Sequence, residues 1–186
     1  MSIEGRHHRA IYEVAATINS SLDSQEVLRS IAESTARAMG AKASSLMLLS
    51  PGRQELHHRA SYGLSDAYLR KGPLDVDQSM SDALRGRPVA VLNAATDPRV
   101  QYRREATREG IASMLSVPIR LRDEVVGVMR VYTGEPREFS PEDVEFVQAV
   151  ANLGAIALEN ARRFEEMRSN YDALRQDLLE WYTVSR

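Results

Sequence analysis

The chain has 186 residues, 43% of them hydrophobic and 27% charged, with a formal net charge of −2 and a pI near 6.1. That is enough apolar material for one domain of about 100–150 residues plus helical extensions, and the missing basic excess argues against nucleic acid as a partner. Cysteine is absent, which removes disulfides, thiolate metal sites, thiol catalysis and thioether attachment of a chromophore. No apolar run approaches the roughly 18–20 residues needed to cross a membrane and the start is polar, so the expected setting is cytoplasmic, without a membrane.

Ile11, Val14, Ala15, Ile18 and Leu22 recur at helical spacing and predict an amphipathic first helix. Residues 1–8 are set aside, because Ile3-Glu4-Gly5-Arg6 reads like a protease-cleavage scar ahead of His7-His8. Asp23 restarts the pattern with Glu26 as a capping-box partner. Leu28, Ile31, Ala32, Thr35 and Met39 then stripe a second helix that Gly40 ends. Residues 44–49 form an apolar run of strand length, followed by a Pro51-Gly52 turn. Residues 55–61 alternate Leu56, His58 and Ala60 against Glu55, His57, Arg59 and Ser61, which predicts a hairpin with one wetter face.

The middle is less regular. Short helices are predicted over 65–71, capped by Ser65, and over 79–85, ended by Gly86; a short strand follows over 89–92 and a helix over 99–109, ended by Gly110. Strands over 113–121 and 125–132 are joined by Arg122-Asp123-Glu124. The last helix opens with Ser140-Pro141-Glu142-Asp143, a cap, a first-turn proline and two acids facing the dipole. Phe146, Val150, Leu153, Ala157, Asn160, Phe164, Met167, Tyr171, Leu174, Leu178 and Trp181 then follow in steps of four and three. That is a coiled-coil seam, and it outlasts the surface of one small domain.

Helices, a hairpin, a helical crossover, a second hairpin and a helix describe an α+β fold. Within this order several segments resemble the GAF domain, a small-molecule-sensing module of signalling proteins. The segments are Ala60-Ser61-Tyr62-Gly63-Leu64, Gly86-Arg87-Pro88-Val89 and Asn93-Ala94-Ala95-Thr96-Asp97-Pro98-Arg99, then Ser113-Met114-Leu115-Ser116-Val117-Pro118-Ile119 and Val126-Gly127-Val128-Met129, and finally Phe139-Ser140-Pro141-Glu142-Asp143 and Ala157-Leu158-Glu159-Asn160-Ala161. The resemblance implies a GAF/PAS-like central antiparallel sheet of five or six strands, with 44–49 at its centre. It also implies terminal helices on one face and pocket loops, between Tyr62 and Ala112, on the other. The division expected is 1–19 as tag-like residues and first helix, 20–160 as the GAF domain, and 161–186 as a coiled-coil extension.

Several GAF chemistries are disfavoured by the residues present. Cyclic-nucleotide-binding members carry an Asn-Lys pair after the last strand; here Phe139 and Asp143 match that motif, but Thr133 and Gly134 hold the Asn-Lys positions. Covalent bilin and methionine-sulfoxide reduction both need cysteine. His57 and His58 are neighbours on a strand and point to opposite faces, so they cannot share a metal, and a histidine on a partly wet strand accounts for either without haem. No catalytic set stands out, so no enzyme, metal or cofactor is expected.

Arg130 lies in an apolar strand on the face of Val126, Val128 and Tyr132 and needs a partner there. It either meets an anionic or polar ligand together with Tyr132, forms an internal salt bridge with Asp97, or sits at an open edge. Tyr62, Asp97, Tyr102 and Met114 complete the candidate ligand site. In the helix, Asn160, Phe164, Met167, Tyr171, Leu174, Leu178 and Trp181 predict a homodimer, with Asn160 setting register. Arg163 and Arg168 would repel in a simple parallel pair, which favours a four-helix or antiparallel arrangement; the alternative is a tail folded back on its own domain. The functional expectation is a sensor that relays the state of an unknown small molecule through this helix to an output or partner signalling protein. The rivals are a ligand-free dimerisation module and a haem-based gas sensor.

Overall fold

In the computed structural model, which describes residues 3–20, 23–76 and 81–184, two hairpins join side by side. In chain order the elements are α1 (Ile3–Ser20), α2 (Ser24–Ala38), β1 (Ala43–Leu49), β2 (Glu55–Tyr62), α3 (Asp66–Leu69), β3 (Leu74–Asp75), α4 (Ser81–Leu84), β4 (Val89–Val91), α5 (Arg103–Arg108), β5 (Ser113–Leu121), β6 (Glu124–Thr133) and α6 (Pro141–Val184). The sheet is antiparallel in the order β3-β2-β1-β6-β5-β4, so β1 and β6 are central, as expected. Gly127 permits their close approach: a Cβ there would lie 2.2 Å from the Met47 carbonyl oxygen. The edge strand β3 had no counterpart in the sequence reading.

One face is covered by α1, α2 and the first third of α6. Leu46, Val117, Met129 and Val131 meet Leu28, Ile31, Val147 and Val150 there, all essentially removed from water. Each such side chain contributes roughly 1.5–3 kcal/mol relative to exposure. Asp23 caps α2 by accepting from the backbone N–H of Gln25 and Glu26. At the start of α6, Ser140 Oγ accepts from Asp143 N–H while the Asp143 carboxylate accepts from Ser140 N–H, a reciprocal box at 3.2 and 3.1 Å. Arg137 fastens this helix start to the end of α2: it donates twice to Asp143 at 3.0 Å and once to the Met39 carbonyl.

Two sequence expectations change here. Residues 3–8 are not idle: α1 begins at Ile3, and His7 is buried and stacked on Phe146 at 4.1 Å. The strict alternation expected for 55–61 is broken by a bulge. Leu46 pairs with Ala60 but Met47 pairs with His58, so Arg59 is an extra residue. One added residue reverses the facing of everything after it. Leu56 and His58 therefore face away from the long helices, whereas Ala60 and Tyr62 pack toward them.

Candidate functional site

The face of the sheet turned away from the long helices carries two small apolar clusters. One surrounds Tyr132 with Ala43, Tyr68 and Met114; the other surrounds Met47 with Leu56, Leu74 and Val128. A polar row crosses the sheet at one level. Ser45 on β1, Arg130 on β6 and Ser116 on β5 are direct cross-strand partners, and all are buried. Arg130 Nε donates to Ser116 Oγ at 2.9 Å, Ser45 Oγ and the Tyr132 hydroxyl share a hydrogen bond of 2.9 Å, and the guanidinium stands 6.0 Å from the Tyr132 ring. A buried sheet face has no structural need of three aligned polar residues, since apolar ones would pack there at lower desolvation cost.

The crossover between β2 and β4 supplies the layer above. Ser65 caps α3, which sets Tyr68 edge-on to Tyr132 at 6.1 Å. Just beyond α3, Lys71 Nζ sits 3.9 Å from the Tyr68 ring centre and donates to His58 Nε2 at 3.1 Å. Burial, reinforced by the Lys71 and Arg130 charges, pulls the His58 pKa down to about 3, so the ring is neutral. Burial and Arg130 bring Lys71 down to about 8, against the opposite pull of Glu105 and Glu109. Burial raises the pKa of both Tyr68 and Tyr132. Among the described residues no cluster of His, Asp and Glu could hold a metal ion.

Of the residues singled out from sequence, Arg130, Tyr132 and Met114 share this face, and Tyr102 stands at its rim, donating its hydroxyl proton to the Pro73 carbonyl at 3.0 Å. Asp97 does not join them. Its carboxylate takes two bonds from the Arg99 side chain, at 3.0 and 2.6 Å, and one from the Arg99 N–H, and these hold its pKa below the usual range. Of the alternatives open to Arg130, the Asp97 salt bridge is thus not formed; Asp97 closes a local turn, which also delays the predicted 99–109 helix until Arg103. Tyr62 lies on the opposite face, where its ring is 5.9 Å from the Arg37 guanidinium, because of the Arg59 bulge. Val126, expected beside Arg130, packs with the helix-side core. Sequence reasoning missed Ser45, Ser116, Tyr68 and Lys71. The divergence of His57 and His58 was anticipated: His57 is exposed and bonded to Glu55, while His58 points inward.

Beyond Ala161, α6 leaves the domain. Phe164, Met167, Tyr171 and Leu174 are exposed by 43 to 67%. Asn160 is exposed as well, and the side chains of Leu178 and Trp181 lie outside the described residues. Glu159 marks the point of departure: its carboxylate meets Arg122 of the β5–β6 turn at 3.4 Å, Arg162 at 3.5 Å and Arg163 at 2.9 Å. Arg163 therefore has a partner within its own chain.

A family model described as "GAF domain" matches residues 21–159. The chain belongs to the GAF domain family. It is 30% identical over 151 residues to a Nif-specific regulatory protein of Azospirillum lipoferum, a match covering 77% of this chain and 24% of that protein. It is 25% identical over 167 residues to an uncharacterized sensor-like histidine kinase of Chloroflexus aurantiacus, covering 89% and 27%. Among solved structures, the GAF domain of a phosphoenolpyruvate-protein phosphotransferase from Coxiella burnetii superposes with a TM-score of 0.76 at 20% identity, covering 87% of this chain and 97% of that one. The chain thus spans about a quarter of the length of the curated relatives it matches. Its GAF fold is of the kind used in signalling proteins. Among the described residues no helix is long and apolar enough to cross a membrane.

Proposed function

We propose that this chain is a regulatory GAF module that senses a small molecule on the crossover side of its sheet and relays the bound state along α6, as a homodimer in the cytoplasm, to an output domain or partner signalling protein. The observation that carries this reading is the buried polar row of Ser45, Arg130 and Ser116 across an otherwise apolar face. Met114, Tyr132 and Tyr102 would line the ligand with it. We read the role as regulatory, since His58 is engaged with Lys71 instead of activating a serine hydroxyl. The matched relatives support the assignment, since in each the similar part is a fraction of a longer regulator.

The dimer follows from the exposed row on α6. Four large apolar side chains at seam spacing, on a helix segment with no neighbour among the described residues, are expected to meet a partner helix, and a second copy presents the same row. Light scattering at micromolar concentration should give twice the chain mass, and a monomer would end this part of the reading. For the sensor part, a thermal-shift screen of organic acids, phosphates, amino acids, nucleotides and haem should raise the melting temperature for one class, because selective binding to the folded state must stabilise it.

A second reading, a ligand-free dimerisation module, is favoured by one observation. Tyr132 is completely buried and its hydroxyl is already satisfied by Ser45. Native mass spectrometry separates the two readings: the sensor retains an added ligand of the class found in the screen, and the ligand-free module retains none.

A further inference from the structure

We propose that the group recognised beneath α3 is a small oxyanion, a carboxylate or a phosphate, held by the Lys71 ammonium and the Nδ1–H of His58 with Arg130 as the charge behind them, and that its binding draws a proton onto Lys71. The inference deepens the sensor reading and rests on it.

The hydrogen bonding at His58 fixes the chemistry. A charged Lys71 has only donors, so in that state its contact makes Nε2 the acceptor and places the ring proton on Nδ1. Nδ1 is buried and has no hydrogen-bond partner among the described residues. A buried N–H left this way is unfavourable, and an acceptor oxygen would relieve it. Lys71 makes no ion pair among the described residues. The carboxylates that act on it come from α5 and the residue after it, Glu105 and Glu109, and Glu109 already accepts both the backbone N–H and the hydroxyl of Ser65. The groups closest around Lys71 are otherwise a neutral imidazole and the rings of Tyr68 and Tyr102, with the Arg130 charge acting on it from β6. The Lys71 ammonium and the His58 Nδ1–H thus stand side by side as donors with no carboxylate bonded to either among the described residues, which is the complement of an oxyanion.

The choice of amine also matters. Lysine occurs in this chain only at positions 42 and 71, and every other long cation is arginine. A guanidinium stays charged, whereas a buried ammonium can titrate near physiological pH. With its pKa brought to about 8 by burial and Arg130, Lys71 sheds part of its charge in weakly alkaline solution, and an oxyanion beside it restores that charge. Affinity should therefore fall as pH rises above 8.

The test is isothermal titration of the full chain at pH 8, in two buffers of different ionisation enthalpy, with succinate, inorganic phosphate and the uncharged succinamide as probes. Succinate or phosphate should bind saturably with uptake of about half a proton, as expected for a group titrating at the working pH, and succinamide should not bind. The response to succinate against phosphate tells an organic acid site from a phosphate site. K71M should lose at least tenfold in affinity. K71R should keep binding but show no proton uptake, and it serves as the decisive variant if K71M does not fold. Equal binding of succinamide, unchanged binding in K71M, or unchanged uptake in K71R overturns the proposal. A screen in which only uncharged compounds stabilise the protein removes the oxyanion and keeps the sensor; one in which no compound acts removes both.

Discussion

Neighbouring residues on β1 live in different chemistry. Leu46 is locked among the aliphatic side chains of α2 and α6, while Ser45, one position earlier, faces Tyr132 and lies directly across from Arg130. The helix face is mostly apolar, with Ser44 donating to the Ala32 carbonyl and His7 stacked on Phe146 as exceptions, and is closed by long elements. The crossover face is covered by short helices and turns and has a polar row through its middle. The first face holds the domain together, and the second can accommodate change because little of the total stability is invested in its cover.

Mutations and pH can break this contrast in graded steps. Leu46→Ala should cost about 3 kcal/mol in urea unfolding, since it leaves a cavity among packed side chains that cannot collapse; a loss below 1 kcal/mol would mean the helix face is not the mainstay. Next comes acid. The unfolded chain protonates His58 near 6.5 while the folded site resists until about 3, so the unfolded state binds more protons between these values and stability falls as pH drops through 6.5. About 2 kcal/mol should disappear between pH 7 and pH 5, and His58→Gln should remove most of that slope. Ser45→Ala, on the same strand as Leu46 but the other face, should cost only about 1 kcal/mol by taking the Tyr132 hydroxyl's partner. Met167→Glu is the smallest in stability, within about 0.5 kcal/mol for the domain. In light scattering it should nevertheless reduce the proposed dimer to a monomer, which would divide assembly cleanly from folding.

Much of this architecture was readable in the chain because its signals are local. Asp23, Ser65 and Ser140 all cap the helices they precede, and the central hairpins follow from apolar runs bounded by turns. The candidate site was less legible because it depends on register. Nothing in Glu55–Tyr62 announces that Arg59 is an extra residue, yet that bulge moves Tyr62 out of the site. Arg130 was conspicuous as a charge in an apolar strand, whereas Ser45 and Ser116 become meaningful only when three strands align. Asp97 misled for the opposite reason: its partner lies two residues away, a turn interaction that outcompetes any distant cation. Lys71 lies just past a short helix, where a lysine ordinarily means solvent.

The last helix carries one further implication. After Gly154, α6 contains neither glycine nor proline through Val184, so it has no built-in joint. In the proposed relay, a rigid rod of this kind would turn or slide at its root and carry a change beside Glu159 to its far end with the same angular phase. Each residue advances that phase by about 100°. A seven-residue insertion beyond Arg163 would therefore leave the far end of the helix facing nearly the same way, while a two-residue insertion would turn it to the opposite side.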